Sequence, residues 1–289
     1  MTTTLAPARH GAAGGRATFV PLAVREMRRF VLNPVFLLAV AIITYANAAD
    51  QGTAVTEVDT LNPYPAIFLG GFGMMATFWL TRSMRASEPV LAITPTTLPA
   101  RTAALCTVAI VPFLCGCLTL LAFLHFDPVG DSIYGPFSQP ARIAILVGQI
   151  VVPSLGGPLL GIALGRWVRF PGTAFVLFLI LYGWVSLVTI LSMSHPDSTL
   201  AAGLRLFAPF AFFTYTADTA DVTAWRGSPW FFLGWQLALC AIAVLAALLR
   251  GAEGPARYRI IRNLTVVLAM AGIMLGLAVT GGFTHAVTA

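Results

Sequence analysis

The side chains best suited to act outside an apolar phase lie in RASEPVLAITPTTLPAR, residues 85–101. There Arg85, Glu88 and Arg101 surround three prolines between two long hydrophobic runs. A carboxylate and two guanidinium groups at this spacing suit electrostatic docking of a partner. They do not form an acid–base pair, a nucleophile with its base, or a metal site. Ser87 is placed to cap a short helix, with Glu88 and Pro89 in its first turn and Val90, Leu91 and Ile93 on its apolar side. Pro95 disfavours helix at Thr94 and ends it, and Pro99 and Arg101 lead into the next apolar run.

Other chemistry is excluded by residue type. All 17 basic residues are arginine. Without lysine there is no P-loop, whose lysine reaches the β- and γ-phosphates, so the chain is expected to bind no ATP or other cofactor itself. Schiff-base chemistry is excluded for the same reason. Cys106, Cys115, Cys117 and Cys240 lie inside apolar runs without CxxC or Cys/His metal spacing and read as packing residues. His10 falls in the N-terminal tail, and His125, His195 and His285 fall at the ends of apolar runs. Proton and ion pathways are usually marked by charges within the membrane. The apolar runs here contain only neutral polar groups such as Asn33, Asn47, Gln149, Ser154, Ser186 and Gln236, for which hydrogen bonding between helices suffices.

These residues are carried by a chain that is 58% hydrophobic and 10% charged, too few charges to cover a soluble surface of this size. An all-α integral membrane protein follows. A crossing helix needs roughly 20 apolar residues, and seven stretches qualify: 31–49, 64–81, 102–125, 142–165, 171–193, 230–249 and 263–283. With the N-terminus in the cytoplasm, cytoplasmic segments hold 14 of the 17 arginines, whereas outer segments hold eight of the 11 acids. A multi-pass protein of the cell membrane with a cytoplasmic N-terminus is expected. Its basic segments point to the lipid bilayer rather than nucleic acid. Ala46-Asn47-Ala48 looks like a signal-peptidase site, but the long polar stretch before it makes the first span read as an anchor.

Four segments stand apart. Residues 1–18 read as a flexible cytoplasmic tail. In FVPLAVREMRRF (19–30), a helix would turn Phe19, Leu22, Ala23 and Phe30 to lipid and Arg25, Arg28 and Arg29, with Glu26 among them, to phosphates or a partner. The fourth span, VVPSLGGPLLGIALG (151–165), is rich in small residues at four-residue spacing and in prolines. Pro153, Gly156, Gly157 and Pro158 suit either a gating helix or a packing face. The outer segment 194–229 contains LRLFAPFAFFTY (204–215), which either dips into the membrane and returns or lies on the outer leaflet.

In this order, these features resemble the transmembrane subunits of type-2 ATP-binding-cassette exporters. The resemblance covers residues 19 to about 250 and implies a six-span permease domain over 19–250, with a coupling loop at 82–101 that docks on a separate ATPase. The coupling residues it implies are Arg85, Glu88, Leu91, Thr94, Pro95 and Arg101. It further implies ATP and Mg on that partner subunit and a homodimer or heterodimer of permeases. Residues 251–289 depart from the six-span pattern and read as a basic cytoplasmic loop plus an additional C-terminal span. A lipophilic or amphipathic substrate fits the uncharged spans. An ion-coupled carrier and a non-transport scaffold or sensor are the competing readings. The arginine asymmetry makes a direct prediction. In a cysteine-free background, a cysteine at Thr96 is expected to react with an impermeant thiol reagent only from the cytoplasmic side, and one at Asp221 only from outside. Labelling of both from one side overturns this topology.

Overall fold

The computed structural model describes residues 13–50, 65–86, 97–126, 139–194, 204, 217–218, 221–223, 228–280 and 286–288. Helix α1 (Ala13–Val31) is followed by α2 (Pro34–Asp50). Helix α3 (65–86) opens as a π-helix over Pro65–Phe72 and continues as an α-helix over Gly73–Ala86. Helix α4 (98–126) joins Leu98–Cys106, a 3₁₀ turn at Thr107–Ala109, and Ile110–Phe126. Helix α5 (139–167) joins Gln139–Leu146, a π turn at Val147–Val151, and Val152–Trp167. Then come α6 (Thr173–Ser194), α7 (Pro229–Leu249) and α8 (Gly254–Thr280). Short strands β1 (Ala217–Asp218), β2 (Asp221–Thr223) and β3 (Ala286–Thr288) form an antiparallel sheet in the order β1-β2-β3. Val222 pairs with both Ala217 and Val287, so the segment before α7 and the chain after α8 meet at one end of the bundle.

Asn33 and Pro34 decide how the chain enters its first apolar helix. The Asn33 side-chain oxygen accepts the Val35 amide at 3.0 Å, and Pro34 takes the first helical position, where its missing N–H is harmless. The α1 and α2 axes bend by 60° there. The stretch expected to cross from residue 31 therefore starts its helix at Pro34, and Asn33 is a cap rather than a polar group inside a span. Phe30 and Phe36 fill the elbow, their ring centroids 4.4 Å apart. The assignment of faces on α1 also needs correction. Ala23, Glu26 and Phe30 are buried as α1 packs on the start of α4, whereas Val20, Val24 and Leu32 are exposed. Phe30 belongs to the apolar cluster that holds Leu105 and Val108 of α4, so its face turns to protein rather than lipid.

Among the described residues, four helices are long and apolar enough to cross a membrane, within α4, α5, α7 and α8, and the bent α1–α2 pair makes a fifth candidate. The apolar part of α6, Thr173–Val188, falls short of that length. Neighbours alternate in direction. Gly70 lies against Pro153 and Thr81 against Gly165, so α3 and α5 run parallel. The Trp167 indole donates to the Ala246 carbonyl at 2.8 Å, near the ends of the parallel helices α5 and α7. Gly116 beside Ser154, and Leu98 beside Gly251, set α4 the other way. The Ser228 amide donates to the Ala278 carbonyl, closing the antiparallel α7–α8 hairpin. Gly254, whose φ is 52°, lets the chain reverse between these two helices.

Helix α5 is the axis of this arrangement: 72% of its apolar window is buried, against 6% for α8. Gly157, Gly161 and Gly165 recur every four residues and lie on α3. A Cβ at Gly157 would collide with the Gly70 backbone, one at Gly161 with the Met74 carbonyl and Thr77 hydroxyl, and one at Gly165 would fall 2.7 Å from the Thr81 Cβ. Gly156, one residue round, faces Cys240 of α7. Lipid tails are as apolar as side chains, so helices in a membrane associate through such close backbone packing. Gly161→Val is therefore expected to cost at least the roughly 1–3 kcal/mol typical of overpacking. Gly272→Val on α8, where nothing lies within 4 Å of the added carbon, should change stability by no more than about 0.5 kcal/mol. Chaotrope unfolding of the detergent-solubilised protein measures both, and equal losses would show that the seam does not govern packing.

Candidate functional site

The alternation brings the end of α3, the start of α4, the α5–α6 turn and the α7–α8 turn together. Arginines collect there because each helix end contributes one. Arg85 Nη1 donates to the Gly165 carbonyl at 3.4 Å and the Val168 carbonyl at 3.3 Å, where α5 runs out of intrahelical donors. Trp167 bonds α7 through its indole, and the Arg250 guanidinium lies 5.2 Å from the centre of its ring. Arg166 and Leu98 both lie against Gly251. The ends of α3 and α7 are thus fastened to the end of α5, and α4 begins against the α7–α8 turn.

The residues expected to carry coupling divide here. Arg85 is half-buried and clamps α5. Arg101 lies inside the first helical segment of α4 rather than ahead of it, and is buried. Glu88, Leu91, Thr94 and Pro95, with the short helix expected around them, lie outside the described residues, as does nearly all of 204–215. On α1, Arg25, Arg28 and Arg29 are exposed, and Arg29 pairs with the buried Glu26 at 3.1 Å. Sequence reasoning did not single out Arg166, which is 2% exposed, or Trp167; neither has a local signal, because each acts on a distant helix.

Pro153, Gly157 and Pro158 lie on α5 at the seam with α3, and Gly156 faces α7. The Thr77 hydroxyl of α3 donates to the Pro158 carbonyl at 2.8 Å and to the Gly73 carbonyl at 2.9 Å. Ser154, expected to bond between helices, instead donates to Ile150 of its own helix at 2.6 Å. Beside this seam, an open apolar groove lies between α3 and α6, lined by Ala66, Gly70, Gly71, Met74, Phe178 and Tyr182 among others. Gly71 lets the Phe178 ring lie directly on α3. Phe178 in turn stacks on Tyr182 with centroids 6.2 Å apart. Among the described residues, no three His, Cys, Asp or Glu side chains come together to hold a metal, and the four cysteines are free thiols.

No protein-family model, curated protein or solved structure matches this chain. Its own residues define the class: a helical, multi-pass membrane protein with a glycine-packed central helix whose end is clamped by arginines. Arg85→Ala and Trp167→Phe should each lower stability by about 0.5–1.5 kcal/mol, the usual net worth of such hydrogen bonds. Removing the exposed Arg82 should change it by no more than about 0.5 kcal/mol. Thermal unfolding in detergent checks this. Losses for Arg82→Ala as large as for Arg85→Ala would mean that net charge, not the clamp, is being measured.

Proposed function

We propose that this chain is the membrane-spanning permease subunit of an ATP-driven exporter of the ATP-binding-cassette type-2 kind. It works as a dimer with separate ATPase subunits that bind ATP and Mg. In this reading α2 to α7 are the six spans of the core, α8 is an added seventh, and α1 lies along the cytoplasmic surface of the cell membrane. The arginine-rich end is cytoplasmic.

One observation carries the reading. At one end of the segment between α3 and α4, Arg85 holds the Gly165 and Val168 carbonyls at the end of α5, and at the other Leu98 lies against Gly251 between α7 and α8. A partner gripping that segment would therefore pull on α3 and the central helix at one end and on α4 at the other. The glycine seam lets α3 and α5 move as one body. The lack of lysine gives the energy source to another subunit. The groove between α3 and α6 is lined by apolar side chains, the chemistry that a lipophilic or amphipathic cargo needs. No specific observation favours an ion-coupled carrier or a scaffold.

Glu88→Arg tests this reading. A like charge against a basic docking surface costs several kcal/mol, whereas loss of a helix-dipole contact costs roughly 0.3–1 kcal/mol. The variant is expected to insert and fold like the parent, yet to lose co-purification of its ATPase and substrate-stimulated ATP turnover. A variant that binds the ATPase and transports normally excludes Glu88 from coupling. A parent that transports without any ATPase, and stops when an uncoupler is added, sinks the exporter reading.

A further inference from the structure

Two irregular helical segments meet inside the bundle: the π-helix Pro65–Phe72 of α3 packs against the π turn Val147–Val151 of α5. The second has an identifiable cause. In a regular helix the ring of Pro153 would collide with the Gln149 carbonyl and offer it no amide. The wider π turn relieves that collision, and the Val152 amide reaches back five residues to the Val147 carbonyl. In this register the next donor, due to Gly148, is Pro153, which has none. Each register therefore leaves one carbonyl without its helical donor, so hydrogen-bond count does not separate the two.

One side chain of the turn, Gln149, is polar. Gly148 faces α7, where a Cβ added to it would lie 2.9 Å from the Gln236 Oε1. Gln149, the next residue, is 3% exposed, and neither its oxygen nor its nitrogen meets a hydrogen-bond partner among the described residues. Gln236 is equally buried. An amide buried without partners costs free energy, and a leucine of similar size would avoid that cost. A glutamine at 149 helps only in a conformation where its amide is met.

We infer that the π turn of α5 is a register switch, and that a Gln149–Gln236 hydrogen bond latches its second state. Moving the one-residue insertion past positions 148 and 149 turns the segment by about 100° and shifts it by about 1.5 Å. Gln149 then takes the place now held by Gly148, opposite Gln236. The half of α5 beyond Pro153 stays fixed by Gly157, Gly161, Gly165 and the Thr77 bond to Pro158. Residues 148 and 149 are the part that turns, while the half before them, where Ile145 and Leu146 pack in the apolar core, keeps its place. The switch is thus local to the π turn, and it requires nothing of the exporter reading.

The test uses the full chain with Cys106, Cys115, Cys117 and Cys240 replaced by alanine. Two cysteine pairs, Gly148→Cys with Gln236→Cys and Gln149→Cys with Gln236→Cys, are treated with dibromobimane, which fluoresces once both thiols are joined. The first pair should link in the parent background and the second more weakly. Adding Pro153→Ala, which removes the ring that favours the π turn, should raise the second yield at least two-fold and lower the first. A second pair that stays at background with and without Pro153→Ala overturns the switch. Gln149→Leu provides an arm that does not depend on the cysteine variants folding. Its melting temperature should equal or exceed the parent's, because the present register leaves the amide unmet. A fall of several degrees would mean that Gln149 is already bonded in the ground state and would likewise overturn the switch.

Discussion

The backbone-to-backbone contact between α5 and α3 is the constraint on which the other helices depend. In a bilayer no hydrophobic gain draws apolar helices together, so they stay together where shape allows short contacts and internal hydrogen bonds. Gly157, Gly161 and Gly165 supply that shape on one helix, and Gly70, Met74 and Thr77 supply it on the other. Once α3 covers that face, Gly156 receives α7 through Cys240, and Ser154 lies against Gly116 of α4. Helix α5 is thereby surrounded, and α8 is left to pack on α7 with most of its surface outward.

Irregular backbone is concentrated in the same two helices. Both π segments belong to α3 and α5, and of the three prolines of the central helix, Pro153 follows its π turn within two residues. A helix interior rarely tolerates this, because a missing amide in lipid has no water to replace it. Here the surrounding helices absorb the cost: the Thr77 hydroxyl reaches the Pro158 carbonyl, and the α3 backbone closes over Gly157. The irregular level lies midway between a glycine-locked half and the strand-bearing end of the bundle, so any rearrangement of α5 is channelled to one side.

At the opposite end, charge takes over from shape. Arg85, Trp167 and Arg250 join the ends of α3, α5 and α7, and the buried Arg101 and Arg166 lie where α4 begins and α5 ends. Guanidinium groups suit this place because their apolar stems pack against protein while the planar fork reaches carbonyls that a helix end leaves open. On the proposed reading, this is the surface through which an ATPase acts. Arg85, just ahead of the segment it would grip, is bonded to the Gly165 and Val168 carbonyls at the end of the central helix.

Composition, run length and arginine asymmetry made the sequence alone sufficient for the class of the protein, the approximate places of its helices and which of their ends come together. These follow from transfer of single side chains between water and lipid, a property each residue has by itself. The four-residue spacing from Gly157 also announced a close contact, but not that α3 would be its partner. The bend at Asn33, the burial of Glu26, Phe30, Arg101 and Arg166, and the two π segments were decided only in three dimensions. Hydropathy says that a segment prefers lipid, yet it is nearly the same for a face turned to lipid and a face turned to another helix. Only the tertiary structure decided which faces meet, because that depends on the shapes of two helices and the hydrogen bonds each leaves open to the other.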